Sequence, residues 1–246
     1  MSWLNERYPA DSTAQLDLFL PCLLLAGAPS FSHLSLYAQK YHDVFTTLLA
    51  GKDDIQLAKL QEMVINSVCE FWHKSSGHLP IVIDKLLTLN YLQIDHVIQW
   101  VFKQISQHHV NNPSQDEDEG LENLEKQAVK QLFYGSMLWE ILELSCLQQS
   151  YDQKVAEPLT VIYSVLFKNF AQILHSISTT ELDKPDVLEV ILCRLEQFAR
   201  IFCINLSKES LASIQDYFRE ITISEEVSER LDNLFQRLDT LSLSAQ

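Results

Sequence analysis

Cys69, His73 and His78 are the residues of this chain that come nearest to a metal constellation. Cys69 and His73 stand one helical turn apart, which puts a thiol and an imidazole on one face, but a structural zinc takes four ligands and no second pair lies in sequence reach. The spacing fits better a core thiol at Cys69, with His73 and His78 capping a helix C-terminus, where a partly positive imidazole is favoured. Glu140 and Glu143 are carboxylates of the kind that share acid and base work; three apart on one helix beside Trp139, they read as a solvated helix edge. His108-His109 adjoin an acidic run, offer weak metal binding at most, and read as exposed loop. There is no GxSxG elbow, no HExxH, no GxGxxG and no Gly-rich phosphate loop, and 5 glycines hardly supply a cradle of backbone amides. The sequence therefore predicts no catalytic residue, no metal, no cofactor and no enzyme.

The aromatic residues carry more information. Trp72, Trp100 and Trp139 each sit beside apolar partners near a helix end, in Phe71-Trp72, Trp100-Val101-Phe102 and Leu138-Trp139. Readers of single-stranded RNA interleave their stacking platforms with basic residues and glycines on a sheet. These tryptophans lie in apolar runs instead, and are expected to anchor helix packing.

The elements that must position these residues follow from composition. Of 246 residues, 5 are Gly and 7 are Pro, about 5% together against roughly 12% in an average protein. A sheet-rich fold with many tight turns is disfavoured, and 47% apolar against 21% charged residues excludes a disordered chain. Apolar residues recur at steps of three and four. One face runs through Leu34, Tyr37, Ala38, Tyr41, Val44, Phe45 and Leu48 to Gly51, and another through Leu57, Leu60, Val64, Val68 and Phe71 to near Gly77. The longest runs from Val155 to Ile177; later faces are Val187 to Phe202, Leu211 to Ile221 and Val227 to Leu241. Asp53, Ser207 and Ser224 read as helix starts, and Pro80, Pro158 and Pro185 stand where a first turn lacks a partner for its amide anyway. Pro21 is expected to kink or delay the first helix. The fold expected is all-α, about ten helices as stacked antiparallel hairpins of a HEAT-like α-solenoid, in a single domain over 1–246. Residues 108–120, HHVNNPSQDEDEG, read as an exposed acidic loop, either a solvated insertion or an interaction tail.

Charge narrows the partners. The balance is 18 Lys and Arg against 33 Asp and Glu, a net −15, and no two basic residues lie closer than Lys126 and Lys130. Without a basic cluster the chain is not expected to grip nucleic acid by itself, and it contains no basic import signal and no polybasic membrane anchor. The longest apolar run, Leu18 to Ala28, is too short to span a bilayer, and the residues before it, Glu6, Asp11 and Asp17 against one Arg7, are unlike the positive start of a secretory signal. Five cysteines, Cys22, Cys69, Cys146, Cys193 and Cys203, show no CxxC spacing and read as reduced core thiols.

Three stretches together resemble the C-terminal helical domain of the large subunit of the nuclear cap-binding complex. They are Ser30-Phe31-Ser32-His33 followed by Lys40 to Leu48 with His42 and Phe45; Phe71-Trp72 leading through Leu79 to Leu86 with Asp84-Lys85, then Val97 to Phe102 with Trp100; and Leu138-Trp139-Glu140-Ile141-Leu142. The resemblance covers residues 20–145 and implies a middle-domain-of-initiation-factor-4G type helical repeat. It further implies a scaffold that docks a small RRM-containing cap-binding subunit, meets capped RNA indirectly through it, and recruits splicing, export and nonsense-mediated-decay factors in a nuclear setting with cytoplasmic shuttling. The alternative within the same fold is a helicase-docking or adaptor protein of translation or mRNA decay. Phe31, Ser32, His33, His42, Phe45, Asp84, Lys85, Trp100, Trp139 and Glu140 are the motif-matched residues, and a motif of this kind marks either partner contact or core packing. Two departures stand out: the family's long charged insertion after its Trp-Glu-Ile-Leu helix is missing, and so are its upstream helical domains. The chain is accordingly read as a fragment, a partial gene model or a reduced version of such a subunit.

Overall fold

In the computed structural model of the chain, residues 6–8, 12–109, 136–148, 159–179, 185–202, 206, 208–221 and 225–244 are described, and every regular element among them is helical. The all-α class expected from scarce glycine and proline is the class the chain adopts. Two compact units divide it, Met1–Val101 with Leu132–Tyr151, and Phe102–Gln131 with Asp152–Gln246.

The first unit holds α1 (Ser12–Gly27), α2 (Phe31–Lys40), α3 (His42–Leu49), α4 (Asp54–Phe71), a 3-10 turn (Ser76–His78), α5 (Leu79–Thr88), the start of α6 (Ile94–His109), and α7 over 136–148. Helix α1 packs on α2, α3 and α4, and α5 packs on α2 and α4. Pro21 lies inside α1, so the helix runs through the proline instead of starting after it. Leu16, Leu20, Leu23 and Leu24 bury one face across the break, and that burial outweighs the single hydrogen bond the ring removes.

The face from Leu34 to Leu48 belongs to two helices, not one. Tyr41, at φ −107° and ψ 15°, closes α2 and opens α3; its amide donates to the Tyr37 carbonyl at 3.0 Å while its own carbonyl accepts from Val44 and Phe45. Periodicity misses such a break because one non-helical residue hardly disturbs the three-and-four step. Asp53 caps α4 as expected, accepting from the Gln56 amide at 2.8 Å, and Gly51 takes a left-handed φ of 71° just beyond α3. Pro80 sits in the first turn of α5 and Pro185 opens α9. Helix α5 ends on Asn90, the one described non-glycine residue with positive φ (57°); the amides of Asn90 and Tyr91 close back on Leu87 and Leu86 at 3.0 and 2.8 Å. That is the two-bond pattern of a left-handed helix cap, with asparagine in place of glycine.

The second unit holds the end of α6 with α8 (Leu159–Thr179), α9 (Pro185–Phe202), α10 (Lys208–Arg219) and α11 (Glu225–Ser244). Helix α8 packs on α9 and α10, and α11 packs on α9 and α10. Its core is aromatic: Phe170 meets Phe102 edge-on at 4.8 Å, Phe198 at 5.7 Å and Phe167 at 6.3 Å. At the rim, Arg230 of α11 reaches two glutamates of α9, Glu196 through Nε at 2.8 Å and Glu189 through both terminal nitrogens. The guanidinium holds the Glu189 carboxyl below its ordinary range.

Candidate functional site

The motif-matched residues gather around three local constructions in the first unit. The first is a helix start. Ser30 is the N-cap of α2, its Oγ accepting from the His33 amide at 3.2 Å and lying 2.7 Å from His33 Nδ1, while the Phe31 ring lies 5.4 Å from that of His78. Phe31 is half-buried and Ser32 and His33 are exposed, so this motif both opens the helix and shows polar groups at the surface.

The second construction centres on Tyr91, which no periodic face contains. Phe45, fully buried, stacks on the Tyr91 ring at 4.1 Å and 23°, and the His42 ring lies 5.7 Å away. The Tyr91 hydroxyl donates to the Ala38 carbonyl at 2.8 Å, tying the α5–α6 connection to α2 across 53 residues. Gln61 of α4, itself buried, donates to the Tyr91 carbonyl at 3.3 Å and accepts from the Gln93 amide at 3.0 Å. Burial pushes the Tyr91 phenol above its ordinary range, so it is a fixed donor. Two motif residues, His42 and Phe45, are thus the wall of a packing hub.

The third lies on α5, α6 and α7. Trp100 is buried and its indole nitrogen donates to Asn66 Oδ1 at 2.9 Å; Trp139 is buried on α7, and Glu140 beside it is exposed. Both tryptophans anchor helices, as their apolar neighbours imply. Asp84 is different. Its side chain is only 13% exposed, Oδ1 is buried without a hydrogen-bond partner, and the nearest cation among the described residues is Lys85 Nζ, 4.0 Å from Oδ2. Desolvation raises its pKa, and the Lys85 charge opposes that rise without cancelling it.

A stability change follows. The fold binds a proton at Asp84 more readily than the unfolded chain does, so ionised Asp84 costs stability above its raised folded pKa, and that cost fades as pH falls towards the ordinary carboxylate range. Asp84→Asn is expected to raise the unfolding free energy by about 1 kcal/mol at neutral pH, and the gain should shrink in urea titrations repeated at successively lower pH. A variant less stable than the parent at pH 7 would refute this.

The candidates for metal and acid–base chemistry fall apart spatially. His73 Nδ1 lies 2.7 Å from the Glu70 carbonyl and His78 Nδ1 3.1 Å from the Ser75 carbonyl, so each imidazole closes its own turn. Burial pushes the Cys69 thiol up to about 12, which leaves it protonated and inert. Glu140 is exposed and Glu143 half-buried on the same helix. Among the described residues, no three His, Cys, Asp or Glu side chains are placed to hold a metal ion. Cys146 is buried, but Cys22 and Cys193 are exposed, so the expectation of core thiols fails for those two: Cys22 lies on the apolar outer side of α1, and Cys193 lies at the rim beside Glu189 and Arg230. Helix α6 continues through His109, and the acidic run that follows, 110–120, lies outside the described residues, as do Cys203, Ser207 and Ser224.

A shallow cleft between α9 and α11 is lined by Glu196, Glu229, Arg230, Asn233, Leu234 and Arg237. It takes in none of the motif residues, and Arg230 there is already engaged by Glu189 and Glu196. Gln61, Asn66, Tyr91 and Arg230 carry no local sequence signal of their roles, whereas Ser30, which opens the first resembling stretch, stands just ahead of an apolar periodic run where an N-cap belongs.

A family model described as MIF4G like matches residues 4–210. Among curated relatives, nuclear cap-binding protein subunit 1 of Aedes aegypti is 33% identical over 88 residues, 36% of this chain and 10% of that protein. Nuclear cap-binding protein subunit 1 of Oryza sativa subsp. japonica is 25% identical over 116 residues, 46% of this chain and 13% of that protein. That of Anopheles gambiae is 30% identical over 88 residues, again 36% and 10%. The matched part therefore spans only about a tenth of the length of these relatives.

Proposed function

The chain belongs to the MIF4G-like family, and from that membership we propose that it serves as a non-enzymatic scaffold domain of a nuclear mRNA cap-binding complex. In this reading it docks a small RRM-containing subunit that holds the cap, touches capped RNA only through that subunit, and offers its remaining helix faces to RNA-processing and export factors. The observation that supports it is the likeness to nuclear cap-binding protein subunit 1. Physical chemistry gives the division of labour. With 18 basic against 33 acidic residues, scattered singly, the chain lacks the cation clusters that phosphate binding demands. Its buried motif residues, Phe45, Trp100 and Trp139, set the helices, whereas Ser32, His33 and Glu140, with half-exposed Phe31 and Lys85, stand where a docked subunit can read them. No helix among the described residues is long and apolar enough to cross a membrane.

Co-expression with the RRM subunit of the same organism tests the proposal. The expected result is co-elution of the two proteins, and retention of RNA bearing 7-methylguanosine by the pair but not by either the chain alone or uncapped controls. Capped RNA held by the chain alone, or no co-elution, refutes it. Stimulation of a helicase ATPase by the chain, without retention of an RRM subunit, would favour the translation or decay adaptor instead.

A further inference from the structure

From Leu18 to Gly27, helix α1 is apolar around its whole circumference. Its inner face buries Leu16, Leu20, Leu23, Leu24 and Gly27. On the opposite side Leu18, Pro21, Cys22 and Leu25 recur at the same three-and-four spacing and are exposed, Leu25 by 68% and Leu18 by 37%; the exposed Ala28 and Pro29 follow in the turn to α2. Helices that are apolar all round are ordinarily buried on all sides, so this second face is built to be covered. Its polar groups say by what. Pro21 has no amide hydrogen, which leaves the Asp17 carbonyl without its helical donor on that side. The only charged side chain in Ser12–Gly27 is the exposed carboxylate of Asp17. The stripe thus presents apolar groups, a carbonyl without its helical amide and an anion, with no cation of its own, on a chain of net charge −15. A second copy of so acidic a chain would be repelled.

We propose that the outer face of α1 is a docking site for a cationic amphipathic helix of a partner protein, whose apolar side chains cover Leu18, Cys22 and Leu25 and whose Lys or Arg side chains meet Asp17 and its carbonyl. Exposed stripe and partner match in form: Leu18 to Leu25 spans about 10 Å, two turns of helix. The site does not depend on the cap-complex reading.

The test titrates the full chain into a labelled amphipathic peptide of about 18 residues, made in three forms, leucine with lysine, with glutamine and with glutamate. Fluorescence anisotropy reports binding and amide hydrogen exchange reports its place. The lysine form is expected to bind, to slow exchange across residues 18–26, and to weaken several-fold when salt rises from about 0.05 to 0.3 M. Leu25→Asp should weaken it about tenfold or more; as that side chain already faces solvent, helical content should be unchanged, and Leu25→Lys should give the same loss. Absence of binding, binding untouched by either substitution, or equal binding of the glutamine or glutamate forms overturns the proposal, the glutamine result pointing to an uncharged helical neighbour. Self-association of the chain that Leu25→Asp dissolves would overturn it in favour of a second copy.

Discussion

Replacing Phe45 by alanine should lower the unfolding free energy of the first unit by about 3–5 kcal/mol, the range for deleting a buried phenylalanine. Phe45 is fully enclosed and stacks on Tyr91 at 4.1 Å, so truncation removes the transfer energy of the ring and leaves a void beside a second aromatic. Tyr91 has little freedom to fill that void. Its hydroxyl is committed to Ala38 at 2.8 Å and its backbone is held by Gln61 and by the cap at Leu86. The cost should therefore fall near the upper end, because sites that cannot collapse keep their cavities. Urea denaturation followed by tryptophan fluorescence measures it, and Tyr91→Phe supplies the comparison: the ring stays, one buried carbonyl loses its donor, and the loss should be about 1–2 kcal/mol. A Phe45→Ala loss no greater than that of Tyr91→Phe would mean that the stack is not the centre of this core.

The two sides of that hub differ in how far sequence exposes them. Phe45 lies on a three-and-four face that begins at Leu34, and its burial follows from the period alone. Tyr91 lies in the short connection after α5, where no period exists, and its partners are 30 to 53 residues away. Side-chain hydrogen bonds over such distances depend on how helices are stacked, which local pattern does not encode. The motif residues show the same limit: His42, Phe45, Trp100 and Trp139 fit a familiar order along the chain, yet whether each faces a partner or the core is a tertiary fact. Of these, Phe45, Trp100 and Trp139 turn inward. Asp84 is visible as a motif member but its lack of a partner for Oδ1 is not, since its burial is set by the helices packed around α5. In sequence the outer stripe of α1 shows only as an apolar run holding a proline, because a helix segment apolar on every side has no period to betray which face is covered.

Gly27→Ala should destabilise the first unit by about 1–3 kcal/mol, the usual cost of overpacking, although helix propensity alone would favour alanine by about 1 kcal/mol. Gly27 is the last residue of α1, and a Cβ there would stand 2.7 Å from Leu34 Cα, 2.8 Å from Leu34 Cδ1 and 3.0 Å from its Cβ. A flexible side-chain end can step aside, but a Cα carries its helix with it. Helix α2 is fixed at its start by the Ser30 cap and further along by the Tyr91 bond to Ala38, so the added methyl must pry apart two anchored elements. The backbone origin of the clash distinguishes this account from a simple side-chain conflict. Leu34→Ala removes the Cδ1 contact but leaves the Cα and Cβ in place, so in a double-mutant cycle most of the Gly27→Ala cost should persist in the Leu34→Ala background. Full relief there would assign the glycine to the leucine side chain alone, and a Gly27→Ala chain as stable as the parent in urea would show that the helices part without strain.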